Sequence, residues 1–199
     1  MEKIAEFLTK FIIAQNNHEN LDFEVYKFGL LMALEVGMNL MIALFISSAL
    51  GMFGYGILFL VFFSLLRAFA GGIHLNSFWG CTILSSSVLI AILFLVKYVN
   101  VPAVGLFVVS LVASILIFIL GPVDDKNRRI SEEEHNIFYR RLTYTLIFLG
   151  IISALSIILG YNRLTFMICL TLGLFHIVQI IGKNKNLKYQ DSSRRYKGD

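Results

Sequence analysis

The sequence predicts an all-α polytopic membrane protein with six membrane-spanning helices. Of its 199 residues, 57% are hydrophobic and only 15% charged, where an average soluble domain has roughly a quarter charged. Six mainly apolar runs are long enough to cross a bilayer, which takes about 20 residues. Lys and Arg are sorted into alternate connections between those runs, as topology signals are. That sorting also turns the net charge of +4 away from nucleic acid, for which neither a basic soluble face nor a motif is present. Two prolines and eighteen phenylalanines argue against disorder, and no fixed period or low-complexity run suggests a repeat array.

The first residues, MEKIAEFLTK, lead to no small-residue cleavage site, so a secretory signal peptide is not expected. Ile4, Leu8, Phe11, Ile12 and Gln15 fall at near-helical spacing, with Glu2, Lys3, Glu6 and Lys10 mainly elsewhere around the wheel. This predicts an N-terminal amphipathic helix, either interfacial on the membrane surface or packed on the bundle. The six runs follow as Gly29 to Ala49, Met52 to Ala70, Phe78 to Val96, Pro102 to Leu120, Leu142 to Gly160 and Arg163 to Gly182. Gly51, Gly54, Gly56, Gly71, Gly72, Asn100, Pro102, Gly121, Pro122, Gly160 and Asn162 mark their ends. The chain thus reads as a single membrane domain over 1–199: an N-terminal segment 1–28, a membrane core 29–182 and a basic tail 183–199.

Counting Lys and Arg in alternate segments puts fifteen on one side and only Lys97 and Arg163 on the other. Basic residues near span ends stay in the cytoplasm. Both termini and the connection from Gly71 to Ser77 are therefore expected there, in a multi-pass protein of a cell membrane.

The chemistry is concentrated in RAFAGGIHLNSFWGC, Arg67 to Cys81. A thiol attacks as thiolate, and a nearby imidazole or a helix N-terminus favours that form. Asn76 and Ser77 are good N-cap types, so a helix starting there carries Cys81 in about its first turn. His74 stands seven residues earlier. In one continuous helix the two would share a face but lie roughly 10 Å apart along the axis, too far for a hydrogen bond. Gly71 and Gly72 permit a departure from helix, so a broken hairpin is expected between the second and third spans. Arg67 at a span end should be paired or functional. Glu35 lies inside the first span, with Asn39 one turn beyond on the same face. Glu35 either neutralises Arg67 or orients His74.

Other features say less. The two cysteines, Cys81 and Cys169, form no disulfide framework and no metal-ligand spacing, and no cofactor motif is present. His176 and Cys169 are also seven apart, but without a glycine break or cap between them they read as packing. The fourth connection, GPVDDKNRRISEEEHNIFYRRL, holds a capping box, Ser131 with Glu134, that should start a helix. It is either a solvated topology determinant or a grip for a charged part of a peptide.

These residues resemble the accessory gene regulator protein B (AgrB) family of Gram-positive bacteria. RAFAGGIHLNSFWGC is similar to the family signature, and GPVDDKNRR to its second landmark, a Pro-x-Asp-x-Lys-x-Arg stretch. Here the latter reads PVDDKNRRI, with Asn127 between Lys126 and Arg128 and a second arginine following. The length, the six runs and the acid in LMALEVGMNL fit as well, so the resemblance spans essentially the whole chain. It implies a membrane cysteine endopeptidase that trims an AgrD-type propeptide into an autoinducing peptide for quorum sensing, works as a homodimer among membrane lipids and needs no cofactor. It implies Cys81 as nucleophile, His74 as general base and acid, and Arg67, Gly71 and Gly72 as support. Asp124, Asp125, Lys126, Arg128 and Arg129 would meet the peptide. The rival expectation from another class is a peptide transporter without proteolytic activity, which should spread polar residues along several spans.

Overall fold

The computed structural model describes residues 2–15, 22–71, 78–122 and 132–195. Every element among them is a helix: α1 (Glu2–Gln15), α2 (Phe23–Ala49), α3 (Phe53–Ala70), α4 (Phe78–Tyr98), α5 (Ala103–Leu120), α6 (Glu132–Ile158) and α7 (Asn162–Arg195). Helices satisfy their backbone polar groups internally, as a hydrocarbon environment demands. Five helices are long and apolar enough to cross a membrane, α2, α3, α4, α6 and α7. The sixth expected span falls on α5, where Val104–Leu120 is a shorter apolar helix.

Helix ends depart from the hydropathy boundaries. Asp22 accepts a hydrogen bond from the Glu24 amide (3.1 Å), so α2 begins six residues before the apolar run. α6 starts at Glu132, beside Ser131 of the expected capping box, which lies outside the described residues. α7 continues through the basic tail to Arg195.

α7 is the hub, packing on α3, α4, α5 and α6. Half of its most apolar window is buried inside the bundle, against 6% for α2. Thr165 through Cys169 are buried without interruption, as in a helix surrounded on all sides. Phe63 stacks on Phe59 (centroids 5.6 Å) and meets the edge of Phe175 (6.0 Å), joining α3 to α7. Buried hydroxyls on Ser47, Ser110, Thr145 and Thr171 donate to carbonyls of their own helices, so they need no partner across the bundle.

α1 packs on α2 through its small residues: Ala5 and Thr9 are fully buried, whereas Ile4, Phe7 and Phe11 are exposed. Lys10 hydrogen-bonds Glu6 and, with a smaller contribution from Lys27, holds its carboxyl below the ordinary value. A depressed carboxylate contributes at neutral pH and loses that contribution as pH falls through the acid range; on a fully exposed pair the effect is weak.

Lys97, one of the two basic residues on the side poor in charge, has a local task. Its Nζ donates to the carbonyl oxygen of Leu50 (2.7 Å), closing the C-terminus of α2 from α4. Lys97→Met keeps the stem and removes the donor, and is expected to cost about 1–3 kcal/mol. A thermal unfolding curve in detergent identical to wild type would refute this role.

Candidate active site

α3 ends at Gly71, whose φ of 78° and ψ of −166° lie in a region that only glycine occupies without strain. Its amide donates to the carbonyl of Arg67 (3.2 Å), so Arg67 belongs to the last helical turn. The chain resumes as helix at Phe78. Residues 72–77 lie outside the described residues, and with them Gly72, His74 and the expected hairpin break. α3 and α4 themselves touch only sparsely.

Cys81 is the fourth residue of α4 and half-buried. Its neighbour Thr82 turns inward and donates to the Phe78 carbonyl (3.0 Å). Trp79 is exposed and meets Phe78 edge to face (5.4 Å). Cys81 is thus partly exposed near the first described turn of α4. Cys169 sits in the core cluster among Phe166, Leu172 and Phe175, consistent with its reading as packing.

Three contacts fix the heights of the helices. Ser47 of α2 packs against Gly56 of α3. Counting outward from that contact, twelve residues bring α2 to Glu35 and α3 to Ala68, next to Arg67. Lys97 reaches Leu50; sixteen residues back along each helix lie Cys81 and Leu34, next to Glu35. Phe63 meets Phe175; four residues on lie Arg67 and Gln179. Counted along the helices from these contacts, Glu35, Arg67, Cys81 and Gln179 fall in one layer toward the same end of the bundle. The Arg141 guanidinium over the Phe69 ring (5.9 Å) brings α6 to the same end.

Glu35 is half-buried, and it is not paired with Arg67: the ion pair among the described residues is Lys10–Glu6. Arg67 has an interaction of its own. Asn39 lies one turn further along α2, its Oδ1 buried without a partner among the described residues. Asp124, Asp125, Lys126, Arg128 and Arg129 lie outside the described residues.

Gln179 escaped the sequence reading. It is fully buried, and its Nε2 donates to Gly121 O (2.6 Å) and, more weakly, to Ile117 O (3.5 Å). Its signal was a single carboxamide inside the apolar run FHIVQII. Among the described residues no group of His, Cys, Asp or Glu is arranged to hold a metal ion.

The family model described as Accessory gene regulator B matches residues 1–183. Two proteins of Clostridium perfringens that carry the provisional name AgrB-like are similar to the chain. One, AgrB-like protein 2 of strain 13, is 25% identical over 171 residues, covering 81% of this chain and 79% of its own. The other, from strain SM101, is 26% identical over the same shares. No solved structure shows significant similarity.

Proposed function

Because the chain belongs to the accessory gene regulator B family, we propose that it matures an autoinducing peptide, as a membrane cysteine endopeptidase that removes the C-terminal tail of a small propeptide. The observation that carries this reading is the position of Cys81, an accessible thiol in the first turn of α4, in one layer with Arg67 and Glu35. A layer at one end of the bundle admits a peptide without taking it across the membrane.

In this mechanism His74 accepts the Cys81 proton as the sulfur attacks the scissile carbonyl. The C–N bond then breaks, and the proton passes from His74 to the departing amine of the tail. The remaining peptide is held on Cys81 as a thioester. Attack by water would yield a linear acid. Attack by a cysteine thiol of the propeptide exchanges one thioester for another, returns the proton to Cys81 and closes a thiolactone ring. Shielding from water favours the ring. Arg67, Gly71 and Gly72 support the site, and the segment carrying Asp124, Asp125, Lys126, Arg128 and Arg129 engages the peptide. The site faces the cytoplasm of a bacterial cell, with both termini on that side and a second copy of the chain as partner.

Co-expression with the cognate AgrD-type propeptide tests the reading. The expected product is a hydroxylamine-sensitive adduct on Cys81 that His74→Ala prevents from forming. Recovery of full-length peptide outside the cell, with no adduct and no released tail, would identify a transporter instead.

A further inference from the structure

α5 ends at Gly121, with φ 65° and ψ −173°, and carbonyls at this end accept from side chains of other helices. Two side chains from other helices cap them. From α7, the buried Gln179 donates to Gly121 O and Ile117 O. From α6, the Tyr139 hydroxyl donates to Phe118 O (3.2 Å), while its ring packs on Phe118 (centroids 5.0 Å) and covers Gly121, where an added Cβ would lie 3.3 Å from it. The carboxamide cannot be reversed, because its oxygen would then face two carbonyl oxygens. Its own Oε1 has no partner among the described residues. Burying a carboxamide with a bare acceptor is a cost that leucine would avoid, so the donor side is what the position requires.

We propose that Gln179 and Tyr139 are positioning residues: together they clamp the end of α5, and so fix the point from which the charged segment leaves relative to Cys81. Gln179 shares the layer of Arg67 and Cys81, so displacement of Gly121 moves the segment's anchor in the plane of the site. This rests on the reading above, in which that segment engages the peptide. Loosening the clamp weakens peptide engagement and leaves the thiol chemistry unchanged.

The test compares full-length wild type, Gln179→Met and Tyr139→Phe in detergent. Tyr139→Phe removes one exposed hydroxyl and serves where Gln179→Met fails to fold. Amide hydrogen exchange in the last turn of α5 is expected to rise about tenfold in Gln179→Met and about threefold in Tyr139→Phe. KM for the propeptide should rise by similar factors, with kcat within about twofold. Unchanged exchange in both variants overturns the clamp. Faster exchange with unchanged KM, or a fall in kcat alone, overturns its link to the peptide. Exchange needs no peptidase activity, so failure of the peptidase reading itself would show separately, as wild type that never cleaves.

Discussion

Cys81→Ala is expected to abolish release of the propeptide tail, by on the order of 10³-fold or more, as loss of a nucleophile does in enzymes that act through one. Cys169→Ala should leave release within about twofold. The contrast follows from position. Cys81 is half-buried near the first described turn of α4, where a peptide carbonyl can approach. Cys169 is the eighth residue of α7 and is buried in the core cluster. Cys81→Ser should be almost as impaired as alanine, because a hydroxyl stays protonated at neutral pH and makes no thioester. Mass spectrometry of the released tail is the readout, with maleimide labelling as a check that Cys81 reacts ahead of Cys169. Full cleavage by Cys81→Ala would overturn Cys81 as the nucleophile, and loss of cleavage only in Cys169→Ala would move that role to Cys169.

The helices were legible in the sequence because apolar runs of bilayer length leave few alternatives. Their ends were not, because hydropathy marks the thickness of the hydrocarbon and not the point where a helix stops. An exception is the polar stretch Glu132 to Arg141, which is helical as the expected capping box implied, since glutamate and arginine are good helix formers in water. α4 runs from Phe78 among the described residues, and the expected cap residues Asn76 and Ser77 lie outside them. Of the residues in the layer of Cys81, Arg67 and Glu35 were singled out from the sequence but their heights were not, and Gln179 was not singled out at all. Glu35 looked about two turns deep when measured from the start of its apolar run. It lies level with the end of α3 because α2 is 27 residues long and α3 only 18, so α2 overshoots its neighbour. Gln179 could not be assigned a role before α7 was known to pack on the end of α5. Lys97 likewise counted only toward topology until Leu50 was seen beside it. Which helices are neighbours, and at what height, is tertiary information that no single run encodes.

That height depends on one close approach, and altering it should have the largest effect on stability. At Gly56 an added Cβ would clash with both the Oγ and the Cβ of Ser47. The hydroxyl, which donates to Ala43 O, could rotate away. The Cβ is fixed to the α2 backbone and cannot, so the helices must separate or slide. In lipid, where apolar burial does not drive helices together, close packing at small residues carries much of the association. Ordinarily alanine improves on glycine inside a helix by roughly 0.5–1 kcal/mol, so the sign of the effect is diagnostic. Gly56→Ala should destabilise by about 1–3 kcal/mol or more. Gly150→Ala in α6, where an added Cβ meets nothing within 4 Å, should be neutral or mildly stabilising. Adding Ser47→Gly to Gly56→Ala removes both clashing atoms, and the coupling in a double-mutant cycle should reach about 1 kcal/mol or more. Because the same contact sets Glu35 level with Arg67, Gly56→Ala should also slow cleavage in the fraction that stays folded, and Ser47→Gly should restore both properties together. Thermal unfolding in detergent and tail release measure the two. A Gly56→Ala protein as stable as wild type would show that α2 and α3 do not meet at this point, and would break the register that gathers Glu35, Arg67 and Cys81 into one layer.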